Sequence, residues 1–119
     1  MIPQLRPEVL IEEKTIDIIV NADDLGASEK INESTFKLVA DKRVTSATMI
    51  ANGPCIEAAC RQAVDFPDCS FGVHLNVTEF RPLSGSLKLQ PILDDEGAFA
   101  SEERIRQVKI DRDLADGIF

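Results

Sequence analysis

The fold is decided by residues 15–26, which read TIDIIVNADDLG. The first seven of them are rich in β-branched side chains and almost continuously apolar, which is typical of a strand covered on both faces, as in parallel sheets. The run is followed by two adjacent carboxylates, Asp23 and Asp24. We therefore predict a buried parallel strand over residues 15–21 with two acidic side chains at its carboxyl end.

The following segments alternate between helix and strand patterns. Ser28 is a candidate N-cap for a helix that ends near residues 41–43, with Glu29 in its first turn. Residues 44–51 predict a second strand, residues 55–64 a second helix and residues 71–75 a third strand. The inward face of the first helix is predicted from helical spacing to contain Ile31, Thr35, Leu38 and Val39. This β-α-β-α-β order with short connections predicts an α/β fold of parallel β/α units.

The two ends of the chain are less regular. Residues 1–14 contain two prolines and no clean period, so we expect an irregular lead-in before a single domain over residues 15–119. Residues 76–100 contain several turn formers and predict a long connection, a candidate active-site loop, before a last helix that begins at Ser101. Three strands make a thin sheet, so we expect the N-terminal part of a larger fold or a protein completed by oligomerisation.

Composition excludes several function classes. The 119 residues allow one core. The 13 Lys and Arg against 21 Asp and Glu give a net charge of −8, which argues against nucleic acid or an anionic membrane as partner. The chain has no Trp and no Tyr, the residues that usually form stacking platforms for single-stranded nucleic acid.

The sequence also predicts a cytoplasmic location without a membrane anchor. No apolar run is long enough to span a bilayer, and Pro3 and Pro7 stand where a signal peptide would need an apolar core. The three cysteines have no CxxC spacing and cannot all pair within one chain, so we interpret them as reduced thiols.

Candidate chemistry lies at the predicted strand ends. In parallel α/β folds the carboxyl ends of strands meet at one edge, which would bring Asp23 and Asp24 near His74, the single histidine. Carboxylate oxygen and imidazole nitrogen together suit a divalent metal ion. Neighbouring side chains in a strand point in opposite directions, so one Asp can bind metal while the other accepts a proton.

Other interpretations of the same residues stay open. An Asp-Asp pair before Gly26 is a common turn composition, and a histidine in a strand is often a packed core residue. A magnesium-dependent phosphoacceptor module would also place paired carboxylates after a first strand, although the third strand ends in His74 rather than Asp. A non-catalytic α/β binding or assembly module is a further alternative.

Four stretches in order resemble the YdjC or ChbG-like carbohydrate deacetylase family. They are IIVNADDLG at residues 18–26, VTSATMIANGP at 44–54, FGVHLNVTEFRPL at 71–83 and DDEGAF at 94–99. The resemblance implies a distorted β/α (TIM-like) barrel that hydrolyses N-acetyl groups of amino sugars or chitooligosaccharides. It also implies that Asp24 and His74 bind a divalent metal and that Asp23 is the general base. Oxygen ligands and the family favour Mg²⁺, and His74 makes Zn²⁺ the alternative.

The sequence departs from the family in one large respect. Members of the family continue into a second half whose His-rich motif supplies another metal ligand, and this sequence has no second histidine. The resemblance therefore implies a truncated barrel with about half of an active site. An incomplete barrel exposes sheet edges, so we expect homodimers or poor solubility for the isolated chain.

Overall fold

The structure, a computed structural model, describes residues 15–118 and contains a three-stranded parallel sheet. The strands are β1 (Asn21–Leu25), β2 (Ser46–Ile50) and β3 (Ser70–His74), with β2 in the centre. Helix α1 (Glu29–Ala40) connects the first pair, and α2 (Ile56–Ala63) connects the second. The predicted α/β class and the β-α-β-α-β order are confirmed. The predicted lead-in, residues 1–14, lies outside the described residues.

The first strand was predicted in the wrong place. It spans Asn21–Leu25 rather than residues 15–21, and Ile16, Ile18 and Ile19 are 74–81% exposed instead of buried. The cause is the extent of the neighbouring strand. The β1–β2 contact begins where the Thr45 amide donates to the Val20 carbonyl, so the apolar residues before Val20 extend past the start of β2. Asp23 and Asp24 consequently lie inside β1 rather than after it.

Helix α1 follows the predicted bounds. Ser28 is its N-cap, and the Ser28 hydroxyl accepts a hydrogen bond from the Ile31 amide at 3.2 Å. The predicted inward face is wrong at Leu38, which is 42% exposed. The buried residues follow the helical spacing i, i+3, i+4 and i+7 instead, and they are Asn32, Thr35, Phe36 and Val39.

The sheet and the C-terminal region have separate apolar clusters. One cluster under the sheet consists of Leu25, Phe36, Ala47 and Ala59, and the Phe36 ring stacks on Phe66 at 5.5 Å between centroids. The other cluster consists of Leu89, Ile92, Leu93 and Leu114. The long connection therefore has its own core, which includes a 3-10 helix (Leu87–Ile92).

The predicted last helix is two helices, α3 (Glu102–Arg106) and α4 (Arg112–Ile118). The Asp111 carboxylate accepts a hydrogen bond from the Leu114 amide at 2.9 Å, as an N-terminal cap does, and this contact begins a new helix. Within residues 15–118, no helix combines the length and apolar character that crossing a membrane requires.

Candidate active site

The candidate site lies at the carboxyl ends of β1 and β3. His74 Nδ1 is 3.2 Å from Asp24 Oδ1, although β2 separates the two strands. Both side chains are accessible, with 34% of the His74 side chain and 50% of the Asp24 side chain exposed. The structure therefore brings together two of the three residues singled out from the sequence, 50 positions apart in the chain.

The backbone at Asp24 explains how its side chain reaches His74. Asp24 has φ of 65°, in the left-handed region that Asp adopts more readily than most residues. The register between β1 and β2 shifts between Ala22 and Leu25, so Asp24 departs from the regular alternation of a strand. The Asp24 carbonyl then accepts from the Ala27 amide at 3.1 Å, which begins the turn into α1.

The same imidazole nitrogen also faces the main chain. His74 Nδ1 lies 3.4 Å from the Asp24 amide, which donates to it. Asp24 thus contacts the His74 ring with both its carboxylate and its backbone.

Asp23 points to different partners. Its Oδ1 accepts hydrogen bonds from Asn21 Nδ2 at 2.7 Å and from Thr48 Oγ1 at 2.8 Å. Within residues 15–118 both of these bonds use Oδ1, so Oδ2 is available to accept a proton. The structure thus separates the two adjacent carboxylates, one toward His74 and one toward the side chains of β1 and β2.

The donor set fits part of a metal site. One carboxylate and one imidazole at contact distance are suitable ligands for Mg²⁺ or Zn²⁺. In the described part of the chain no group of three His, Cys, Asp or Glu side chains could hold a metal ion. Asp24 and His74 would therefore provide two ligands, and the remaining positions would be filled by water, substrate or other protein groups.

Sequence reasoning missed Asn52, which supports the adjoining loop. Asn52 Nδ2 donates to the carbonyls of Glu79 and Arg81, both at 2.9 Å, and Asn52 Oδ1 accepts from Asn76 Nδ2 at 2.9 Å. These bonds hold the loop in which Phe80 has φ of 63°, an unusual value for a bulky residue. Nothing in the local sequence around Asn52 indicates that its amide contacts a distant loop.

A cleft of about 520 Å³ opens beside His74. Its lining includes the amide side chains Asn52 and Asn76, and otherwise it is largely apolar. The apolar part includes Val73, Leu75, Leu83 and Phe99. A concave surface with a few convergent polar groups next to accessible ionisable side chains is the usual form of a small-molecule site.

Comparison with known proteins finds similar sequences. The family model described as YdjC-like protein matches residues 17–116. A carbohydrate deacetylase of Geobacillus stearothermophilus is 44% identical over 66 residues, which are 56% of this chain and 27% of that protein. A carbohydrate deacetylase of Vibrio cholerae serotype O1 (strain M66-2) is 34% identical over 84 residues, which are 71% of this chain and 32% of that protein.

A solved structure supports the same relationship. The crystal structure described as that of a cellobiose-phosphate cleavage protein from Enterococcus faecalis V583 has a TM-score of 0.69 and 26% sequence identity. The match covers 83% of this chain and 39% of that one, and the curated relatives above are matched over about a third of their length or less. The match of the family model over most of the chain shows that this protein belongs to the YdjC-like protein family.

Proposed function

We propose that this chain is part of a metal-dependent hydrolase that removes N-acetyl groups from amino sugars or chitooligosaccharides. The observation that carries the proposal is the contact between Asp24 and His74 at the strand ends, with Asp23 beside them. The relatives named carbohydrate deacetylase support the carbohydrate substrate and the hydrolysis of an acyl group. The N-acetylated amino sugar is the substrate class that the sequence resemblance implies.

Asp24 and His74 would hold the metal ion. When bound, a divalent ion polarises an amide carbonyl and lowers the pKa of water, which makes hydrolysis feasible near neutral pH. Mg²⁺ is our first choice because of the carboxylate oxygen, and Zn²⁺ is the alternative because of the imidazole.

Asp23 would act as the general base. Asn21 and Thr48 hold one oxygen of its carboxylate, so the side chain is oriented before substrate binds. Its Oδ2 would take the proton from the attacking water, which is how a positioned carboxylate accelerates hydrolysis. As the C–N bond breaks, the leaving nitrogen must receive a proton from an acid that the roles assigned here do not supply, and we place that acid in the part of the relatives that this chain does not match.

The proposal extends to the whole protein. We propose that the three parallel strands and their helices form the first part of a distorted β/α barrel, since the matched relatives are about three to four times as long as the aligned segments. All three cysteines are free thiols, which supports a cytoplasmic, reducing location.

Acetate release tests the proposal. The purified chain is incubated with N-acetylated chitooligosaccharides and with Mg²⁺ or Zn²⁺, and acetate is measured enzymatically. Because the acid for the leaving amine lies outside this chain in the proposal, we expect slow metal-dependent release, and we expect Asp23→Asn to lower that release by about a further 100-fold, the size expected for a lost general base. The matched control is Glu33→Gln, an exposed carboxylate on α1, which should leave the rate unchanged.

Two results would contradict the proposal. Acetate release that survives in Asp23→Asn would exclude Asp23 as the base. Absence of Mg²⁺ and Zn²⁺ binding to the wild-type chain, or binding that Asp24→Ala and His74→Ala both leave unchanged, would exclude the proposed metal site and favour a non-catalytic binding module.

A further inference from the structure

We infer that Asn32 is a positioning residue of this site, which holds the backbone after Asp24 so that the Asp24 carboxylate meets His74. The inference rests on the proposed function, because it concerns the same pair of candidate ligands. Asn32 lies on α1 and has no direct contact with Asp24 or His74 among the described hydrogen bonds, so it acts through the main chain.

Asn32 is a buried polar side chain with both ends of its amide satisfied. It is 6% exposed. Its Oδ1 accepts from the Gly26 amide at 2.8 Å, and its Nδ2 donates to the Cys55 carbonyl at 3.1 Å. A buried amide is costly unless it is hydrogen-bonded, and here both bonds go to main-chain groups of loops. One side chain therefore connects the loop after β1 to the loop after β2.

The two loops are in close contact at this point. The Gly26 carbonyl accepts from the Cys55 amide at 2.9 Å. A Cβ atom at Gly53 would lie only 2.4 Å from the Gly26 carbonyl oxygen, so the approach of the two loops requires glycine there. Gly26 itself has φ of 95°, which side chains rarely allow. Asn32, which lies on α1, hydrogen-bonds to both loops at this contact.

The contact is two residues from the candidate ligand. Asp24 has φ of 65°, a backbone conformation that is unfavourable for most L-residues. Such conformations persist only where the surrounding structure holds them. The Gly26 amide belongs to the same turn, and its bond to Asn32 keeps the turn from relaxing toward an extended backbone. A relaxed turn would move the Asp24 carboxylate away from His74.

The test compares Asn32→Ala with Val39→Ala in the full 119-residue chain. Val39 is a matched control because it is also buried on α1, but it packs near Val44 and Cys69. Two readouts need no metal: the NMR resonances of the His74 ring and the hydrogen exchange of the Gly26 amide. We expect Asn32→Ala to shift the His74 resonances and to speed Gly26 exchange, while Val39→Ala lowers the Tm and leaves both readouts unchanged.

A third readout is the affinity for Zn²⁺ alone, measured by calorimetry. Removing a residue that orients a metal ligand typically weakens metal binding by about 10- to 100-fold, so we expect that loss in Asn32→Ala and not in Val39→Ala. If wild-type Zn²⁺ binding does not depend on Asp24 and His74, the proposed metal site is wrong, and the two NMR readouts still decide the role of Asn32.

Equal His74 shifts in Asn32→Ala and Val39→Ala would overturn the inference, because a general loss of stability would then explain both. If Asn32→Ala does not fold, Asn32→Ser replaces it, since serine is small and polar but its hydroxyl is one bond shorter than the Asn32 amide that reaches Gly26. We expect rapid Gly26 exchange and shifted His74 resonances in that variant, and wild-type exchange and resonances in a folded Asn32→Ser protein would also overturn the inference.

Discussion

At the scale of single residues, Asp24 combines an unusual backbone with a candidate ligand. Asn also adopts the left-handed region but has no charge, so Asp24→Asn separates the two properties. We expect Asp24→Asn to weaken Mg²⁺ binding by about 10-fold or more with little change in Tm. Asp24→Ala should weaken binding and also destabilise the fold by about 1 kcal/mol, because a positive φ is less favourable for alanine than for Asp or Asn. Calorimetry and thermal unfolding measure the two effects, and unchanged affinity in Asp24→Asn would exclude Asp24 as a ligand.

Two cysteines differ in reactivity for a physical reason. Cys69 is buried, and this burial raises the pKa of its thiol above the ordinary value of 9.0, whereas Cys60 is exposed. The thiolate is the reactive form, and a raised pKa leaves less thiolate at any pH below it. We expect iodoacetamide at pH 8 to modify Cys60 before Cys69 in the native protein, as measured by peptide mass spectrometry. Denatured protein is the control, and equal native rates would contradict the prediction.

At the scale of secondary-structure elements, α1 depends on its N-cap. The Ser28 hydroxyl accepts from the Ile31 amide, and loss of such a cap typically costs about 1 kcal/mol. We expect Ser28→Ala to lower the free energy of unfolding by that amount, measured by urea denaturation. Ser34→Ala is the matched control, because Ser34 is exposed inside the same helix and alanine has the higher helix propensity there. A Ser28→Ala protein as stable as wild type would show that the cap contributes nothing.

At the scale of the whole molecule, several apolar side chains in and next to the sheet are exposed among residues 15–118. Ile18 before β1 is 74% exposed, and Val73 on β3 is 67% exposed. Unpaired edges and exposed apolar residues favour association between chains. We expect concentration-dependent self-association in sedimentation velocity, reduced by Ile18→Lys. Leu87→Lys is the control, since Leu87 is similarly exposed but lies in the 3-10 helix. A monomer at every concentration would contradict this prediction.

Local sequence patterns were sufficient for the order of the three strands and of α1 and α2, but not for the bounds of β1, the 3-10 helix or the division of the last helix in two. Helical spacing, the Ser28 cap and the β-branched runs depend on the chain's own geometry, because side chains repeat every 3.6 residues in a helix and every 2 in a strand. The same patterns predicted β2, α2 and β3 to within about two residues, and parallel strands then implied a shared carboxyl edge for the two aspartates and His74.

Contacts between distant segments decided the rest. The start of β1 depends on where β2 begins, so the apolar residues before Val20 are exposed although their composition is that of a buried strand. The positive φ of Asp24, its contact with His74 and the bonds of Asn32 to two loops likewise require segments far apart in the chain. Burial and hydrogen-bond pairing depend on which residues are neighbours in space. A local sequence pattern does not determine these neighbours.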